Sequence, residues 1–468
     1  MPGHTLFLTG HLAAKRLREV LGGLRGIEFS WDVRDLGLQV AALMTTDLIR
    51  RRLPRDALGA ARVIVPGHCR GDLAPLDAEF GVAFERGPVD LHDLPDYLGQ
   101  AREGIDLSQH GVRIFAEIVD APALSVAAIV ERARRFAADG ADVIDLGCLP
   151  ATPFPHLEDA IAALHALDLP VSVDSADLDE LRRGGRAGAD FVLSLSEGTL
   201  ALAEEMAAQP VLVPAQPGDL VSLLRAAERL ERLGRPCILD SILDPIPFGF
   251  TASLVRYAEL RRRLPGARIL MGIGNVTELT DADTTGVNAL LFGIIAELGI
   301  TEVLAVQVSP HCRRAIREAD CARRLMHAAK SRARLPIGID AGLLALRDRR
   351  PVTNSAEEIA ETAAQIRDAN FRIEVAADGI HIYNRAAHRV AQNAFDLFRD
   401  LGVERDGAHA FYLGVELARA EIAWRLGKRY AQDEPLAWGS AVDAAPAQSH
   451  RAPGPTLAAR ARRRRDAP

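Results

Sequence analysis

Between Val112 and Ala329, short apolar runs alternate with longer segments whose apolar residues recur at helical spacing. The strand-like runs are Val112–Val119, Asp142–Leu146, Pro170–Val173, Phe191–Leu195, Val211–Pro214, Pro236–Leu239, Arg268–Met271 and Glu302–Val308. The helical segments are Ser125–Ala138, His156–Leu167, Leu178–Ala187, Leu200–Ala208, Asp219–Leu233, Thr251–Arg263, Thr284–Leu298 and Arg313–Ala329. Continuous apolar runs of strand length belong to sheets buried on both faces, which is the environment of parallel strands under helices. Eight strand–helix repeats in succession predict a closed (β/α)8 barrel rather than an open doubly wound sheet. Gly140, Gly188, Gly234 and Gly299 fall just past helical segments, where a left-handed turn ends a helix.

The flanks carry different patterns. Thr5–Thr9 is an apolar strand broken by Gly10, and Leu12, Leu17, Val20, Leu21 and Leu24 follow at near-helical spacing. A strand near Ile27–Val33, a helix over Gln39–Leu53 and a strand at Arg62–Val65 complete a small N-terminal α/β domain, residues 1–105, ending in a linker or short helical connection at Pro88–Gly99. The loop Pro66-Gly67-His68-Cys69-Arg70-Gly71-Asp72 gathers polar groups at a strand end. It reads either as a ligand or contact loop, or as a glycine-shaped turn capped by Asp72. After the barrel, residues 106–330, a helix over Glu357–Arg367, a hairpin of Arg372–Ala376 and Gly379–Tyr383 with Asp378-Gly379 at the turn, and a helix over Phe411–Tyr430 predict a small C-terminal α+β domain, residues 331–439. Residues 440–468 turn to Ala, Pro, Ser and Arg and read as a disordered, Arg-rich tail.

A chain of 468 residues exceeds the roughly 250 of a barrel, consistent with these flanking domains. A net charge of −7 gives no general drive toward nucleic acid or anionic membrane, so neither is expected as a partner. Five cysteines without CxxC spacing suit a reducing compartment, and no segment is apolar enough to span a bilayer, so a soluble, cytoplasmic protein is expected. GxxxxGK[ST], GxSxG and HExxH are all absent from the sequence. His311, Cys312, Cys321 and His327 have poor spacing for zinc and read as ordinary loop and helix residues, so no metal site is assigned.

Ligands of a barrel sit at the carboxyl ends of its strands. The residues at those ends are Asp120; Asp145 and Gly147; Asp174 and Ser175; Ser194 and Ser196; Gln216; Asp240 and Asp244; Asn275; and Gln307 and Ser309. Carboxylates and amides with few cations suit a flat heterocycle that donates hydrogen bonds better than a phosphate-rich ligand. A pterin presents an N3–H and a 2-amino group side by side, and one buried carboxylate can accept both. The bland alternative for single members is capping; Asp174, for one, stands just ahead of the helix at Leu178.

The barrel resembles the pterin-binding superfamily that includes dihydropteroate synthase and the methyltetrahydrofolate-binding methyltransferases. Gly140-Ala141-Asp142-Val143-Ile144-Asp145-Leu146-Gly147 looks like the family's second strand, and Ser172-Val173-Asp174-Ser175 like its third. Phe191-Val192-Leu193-Ser194 stands at the fourth, with Ser194 in place of an asparagine, and Leu239-Asp240 through Asp244-Pro245 to Phe248-Gly249-Phe250 at the sixth. The resemblance implies a pterin-type TIM barrel with Asp244, Asp174 and Asn275 as catalytic residues. It implies pterin and second-substrate contacts from Asp145, Asp174, Ser194, Asp240, Asp244 and Asn275, to which the strand-end pattern adds Gln216 and Gln307 as candidate substrate contacts. Asp244 is the first choice for the pterin's N–H edge and Asp240 the alternate.

Departures are equally specific. The Ser-Arg-Lys and Arg-Val-His segments of dihydropteroate synthase are replaced by Gly274-Asn275-Val276 and Val306-Gln307-Val308, and its first-loop Asn-x-Thr-Pro-Asp by Val119-Asp120-Ala121-Pro122. Gly272-Ile273-Gly274-Asn275-Val276 is similar instead to the methyltransferases. The three-part layout resembles dihydropteroate-synthase-like proteins of organisms that make tetrahydromethanopterin. This implies a reduced pterin and an arylamine as substrates, with Mg2+ accompanying a pyrophosphate, and is compatible with a homodimer. Methyl transfer and non-catalytic pterin binding are the alternatives.

Overall fold

The computed structural model describes residues 3–24, 29–54, 59–88, 91–95, 97–98, 105–150, 152–399 and 401–443. The expected tail from residue 444 onward lies outside them. Contacts divide the chain into two compact units. One comprises Asp106–Ala345 with the short segment that begins at Trp438; the other combines the chain's start, up to Ile105, with Leu346–Ala437.

The second of these units holds two sheets. Strands β1 (Thr5–Thr9), β2 (Trp31–Asp35), β3 (Arg62–Val65) and β4 (Ala83–Arg86) form a parallel sheet in the order β2-β1-β3-β4. β4 was not evident in the sequence, and β2 lies later than the pattern suggests. The Gln39–Leu53 segment is a single 3-10 turn at Ala41–Leu43 followed by a helix at Thr46–Arg52.

The barrel unit contains β5 (Arg113–Ile118), β6 (Val143–Gly147), β7 (Val171–Asp174), β8 (Phe191–Leu195), β9 (Gln209–Leu212), β10 (Ile238–Leu239), β11 (Arg268–Gly272) and β12 (Glu302–Ala305). These eight strands close into one barrel, every neighbouring pair parallel, and helices connect them. The fold class is therefore α/β with a central (β/α)8 barrel. Side chains alternate between two cores. Ile114, Ile118, Ile144, Leu146, Val171 and Val173 pack outward under the helices, while Phe115, Val143, Phe191, Val211, Ile238 and Leu270 fill the interior.

The last sheet, again in the second unit, is antiparallel: β13 (Arg372–Ala376), β14 (Gly379–Tyr383) and β15 (His388–Ala391). Gly379, at φ +148, brings its backbone so close to β15 that a Cβ would lie 2.6 Å from the Ala391 carbonyl. The helix Gly407–Leu426 covers the apolar face of this sheet through Leu413, Leu417 and Ala420. Among the described residues no helix is long and apolar enough to cross a membrane.

Candidate active site

Strand parity decides which side chains enter the barrel. Residues two beyond an interior residue on the same strand face the same interior, nearer the carboxyl end. Two beyond Phe115 is Glu117, two beyond Val143 is Asp145, and two beyond Ile238 is Asp240. In the ladders Glu117 pairs with Asp145, Asp145 with Ser172, and Gly147 with Asp174. An acid layer from three consecutive strands thus rests on an apolar floor.

The floor sets the electrostatics. Asp145 is 0% exposed; the Ser172 hydroxyl donates to its Oδ1, and its Oδ2 has no hydrogen-bond partner among the described residues. Burial first, and then the Asp174 and Glu117 carboxylates, hold Asp145 well above the ordinary carboxylate range. Burial, reinforced by Asp174, pushes Glu117 up to about 7. Asp174 is also raised by burial, against an opposing hydrogen bond from Ser194. Asp240 is raised to about 6, again chiefly by burial, although Tyr257 Oη donates to its Oδ1 at 2.5 Å and the Ile242 N–H at 2.7 Å. Carboxyls gathered in low dielectric cannot all be charged at once, so near neutral pH the layer keeps protons and offers both O–H donors and oxygen acceptors.

Beside Asp174 opens a pocket of about 300 Å³ with Ser194, Leu178, Leu181, Leu195 and Thr199 in its wall. Ser194 sits at φ +67, a left-handed conformation uncommon for a side-chain-bearing residue. The capping alternative for Asp174 is not what forms: Asp177 caps the helix Leu178–Arg186, accepting the Asp179 N–H at 2.8 Å, and Asp174 is left to the pocket.

The other residues singled out by sequence lie on neighbouring loops. Asp244 is ion-paired with Arg256 at 2.7 Å, and the same guanidinium donates to the Ile242 carbonyl at 2.9 Å, so this pair fastens the loop after β10. Asn275 donates to the Leu243 carbonyl at 2.8 Å, tying the β11 loop to that one. Gln216 is exposed after β9, and Gln307 accepts the Ile316 N–H at 3.4 Å. Asp120 is bonded to Arg132 at 2.5 Å. The structure therefore brings together Asp145, Asp174 and Ser194, with Asp240 bearing on them. It sets Asp244 and Asn275 on a cross-linked pair of loops.

Glu117 was missed because it lies inside a strand rather than past its end. The available signal was a lone acid in an apolar run, two residues from a phenylalanine. Among the described residues, no three His, Cys, Asp or Glu side chains are placed to share a metal ion; Cys312 instead donates to the Thr277 carbonyl at 3.2 Å.

The polar loop of the N-terminal sheet has a structural explanation. Arg70 exchanges backbone hydrogen bonds with Met44 and Thr46, and Asp72 caps Ala74 at 3.2 Å. The amides that open the helix His11–Gly22, where a doubly wound sheet receives anions, already donate to Leu38 and Gln39 carbonyls at 2.6 and 3.1 Å.

Fold and site together define a (β/α)8 barrel with a proton-holding acid layer at its carboxyl rim. A model described as a family of unknown function (DUF6513) matches residues 3–89. An uncharacterized protein of Methanocaldococcus jannaschii is 28% identical across 92% of this chain and 98% of its own length. Among solved structures, dihydropteroate synthase from Vibrio fischeri is 17% identical, with a TM-score of 0.38, over 49% of this chain and 95% of that one. The Thermus thermophilus enzyme in complex with 6HMPPP is 23% identical, with a TM-score of 0.37, over 48% and 95%.

Proposed function

We propose that this chain is an enzyme of reduced-pterin metabolism that binds a pterin at the barrel rim and condenses its hydroxymethyl pyrophosphate with an arylamine, as in tetrahydromethanopterin-type cofactor biosynthesis. The observation that carries the reading is the acid layer of Glu117, Asp145 and Asp174, with the buried Asp145 Oδ2 left without a partner among the described residues. Adjacent N–H donors of an aminopyrimidinone edge match such acceptors, and a bound heterocycle relieves both the unmet acceptor and the crowding of charge. The strand motifs that resemble pterin-binding barrels point the same way. The apolar wall made by Leu178, Leu181 and Leu195 beside Asp174 supports an aromatic second substrate.

The chemistry asked of the protein is modest. Ring electrons assist departure of the pyrophosphate, which carries its own Mg2+, and the arylamine nitrogen attacks the exposed methylene. The carboxyls fix the ring and its tautomer, and holding two substrates in line supplies most of the acceleration. A second reading, methyl transfer from a methylated tetrahydropterin, is favoured by the pairing of two arginines on rim loops. Arg132 and Arg256 are bonded to Asp120 and Asp244, which suits a reaction without an anionic leaving group.

The test is a mass-resolved incubation with hydroxymethyl-dihydropterin pyrophosphate, Mg2+ and either 4-aminobenzoate or its ribofuranosyl-phosphate derivative, beside Asp174→Asn and Asp244→Ala controls. A condensed pterin that disappears with Asp174→Asn supports the condensation. Binding without condensation leaves methyl transfer or non-catalytic binding as the function.

A further inference from the structure

Glu117 has a built place in the barrel. Its carboxyl extends over Gly147, where a Cβ would lie 2.6 Å from Glu117 Oε1 and 3.0 Å from the Val119 Cα, so any side chain at 147 takes the space Glu117 uses. Glycine at the end of β6 thereby lets an acid from β5 reach the interior beside Asp145 and Asp174, its ladder partner and the partner of Gly147. Independently, Asp145, wholly buried, keeps Oδ2 unpartnered among the described residues at the same layer. A ligand with N–H donors is what both features lack.

The charged groups around Glu117 are few in kind. Asp145 on β6 and Asp174 on β7 face it, and the charge of Asp174 also raises Asp240, just past β10. On β12, Glu302 is at the opposite end of the barrel, bonded to Arg113 and Arg268. On the covering helices, Arg132 is taken by Asp120, and Arg323 by Asp142 and Asp320. The groups facing Glu117 are thus carboxyls.

We propose that Glu117 couples ligand capture to proton release, giving its carboxyl proton to solvent as it accepts an N–H of the bound heterocycle. This rests on the pterin reading above and adds to it a residue and a measurable linkage. The balance is simple: one O–H bond of Glu117 breaks, one N–H···O⁻ hydrogen bond forms, and one proton leaves per ligand bound. Burial raises the free Glu117 carboxyl toward neutrality, which places the exchange at physiological pH.

The experiment is calorimetric titration of the full chain with 6-hydroxymethyl-7,8-dihydropterin at pH 6.0, 7.0 and 8.5, each in phosphate and in Tris, whose ionisation heats differ. Wild type is expected to release close to one proton per ligand at pH 6.0 and close to none at pH 8.5, with affinity weakening by roughly tenfold per pH unit below neutrality. Glu117→Gln is expected to release none, and to bind with an affinity that no longer follows pH. A purely structural role for Glu117 would change affinity without abolishing the proton count. Release that persists in Glu117→Gln and vanishes in Asp145→Asn assigns the proton to Asp145 and overturns the proposal. Ligand binding with no proton exchange in wild type overturns it while leaving the pterin reading intact. No binding by a folded wild type removes the pterin reading itself.

Discussion

Replacing Glu117 by glutamine should stabilise the barrel, and by an amount that depends on pH. An exposed glutamate titrates near 4.5, whereas burial and Asp174 push this one up to about 7. The folded chain therefore holds a proton that the unfolded chain has lost. Stability is full below pH 4.5, declines as pH rises toward about 7, and then levels off. At about 1.4 kcal/mol per pH unit, the interval corresponds to about 3 kcal/mol of lost stability. Glutamine keeps the shape and cannot ionise. The free energy of opening β5–β7, read by hydrogen exchange of their peptides between pH 5 and 8, should thus be nearly equal in the two proteins at the acid end. By pH 8 it should favour the variant by about 3 kcal/mol. A pH-independent difference, or a variant less stable than wild type at pH 8, would refute the argument that Glu117 is held against its own charge.

Other substitutions test the surrounding framework. Tyr257→Phe removes the 2.5 Å bond to Asp240 and should cost about 1 to 2 kcal/mol in urea denaturation while moving Asp240 further above its value of about 6; an unchanged Asp240 titration in carboxyl infrared spectra would contradict it. Gly249→Ala meets both a φ of +114 and Asp244 atoms at 2.8 to 3.0 Å, so it should displace Asp244 from Arg256 and cost about 1 to 3 kcal/mol by thermal unfolding. Arg323→Met strips a guanidinium that is 3% exposed from Asp142, Asp320 and the Val112 and Gly140 carbonyls. It should cost about 2 to 4 kcal/mol because two half-buried acids and two backbone carbonyls lose their donor together, and a loss below about 1 kcal/mol would sink that reasoning.

The barrel was legible because parallel strands under helices are buried on both faces and carry few polar side chains, and so print themselves as apolar runs. Asp174 and Asp240 were legible for the converse reason, as acids where such runs end, and Asp145 through the Gly140–Gly147 segment whose resemblance to a known strand motif singled it out. Glu117 was not, because inside a strand only parity tells interior from exterior, and parity needs the register with β6. Asp244 shows the limit of motif reading: its segment only resembles a family motif, while its bond to Arg256, twelve residues on, is a fact of three-dimensional packing. The short β4 and β15, with exposed or half-buried positions such as Ala83 and His388, lack the hydrophobic signal of central strands. Long-range association is invisible in the pattern as well. Val40 and Leu43 pack with Ile359 and Ala363, and Arg429 pairs with Asp93 at 3.1 Å, joining the start and end of the chain in one unit.

The most direct test of the central claim is the equilibrium affinity of the purified chain for 6-hydroxymethyl-7,8-dihydropterin at pH 7.5, measured for wild type and for Asp145→Asn and Asp174→Asn with their folds checked by circular dichroism. Saturable one-to-one binding that weakens by tenfold or more in both variants is the predicted result. Absence of binding by wild type, or equal affinity in all three proteins, would contradict the assignment of the acid layer as a pterin site.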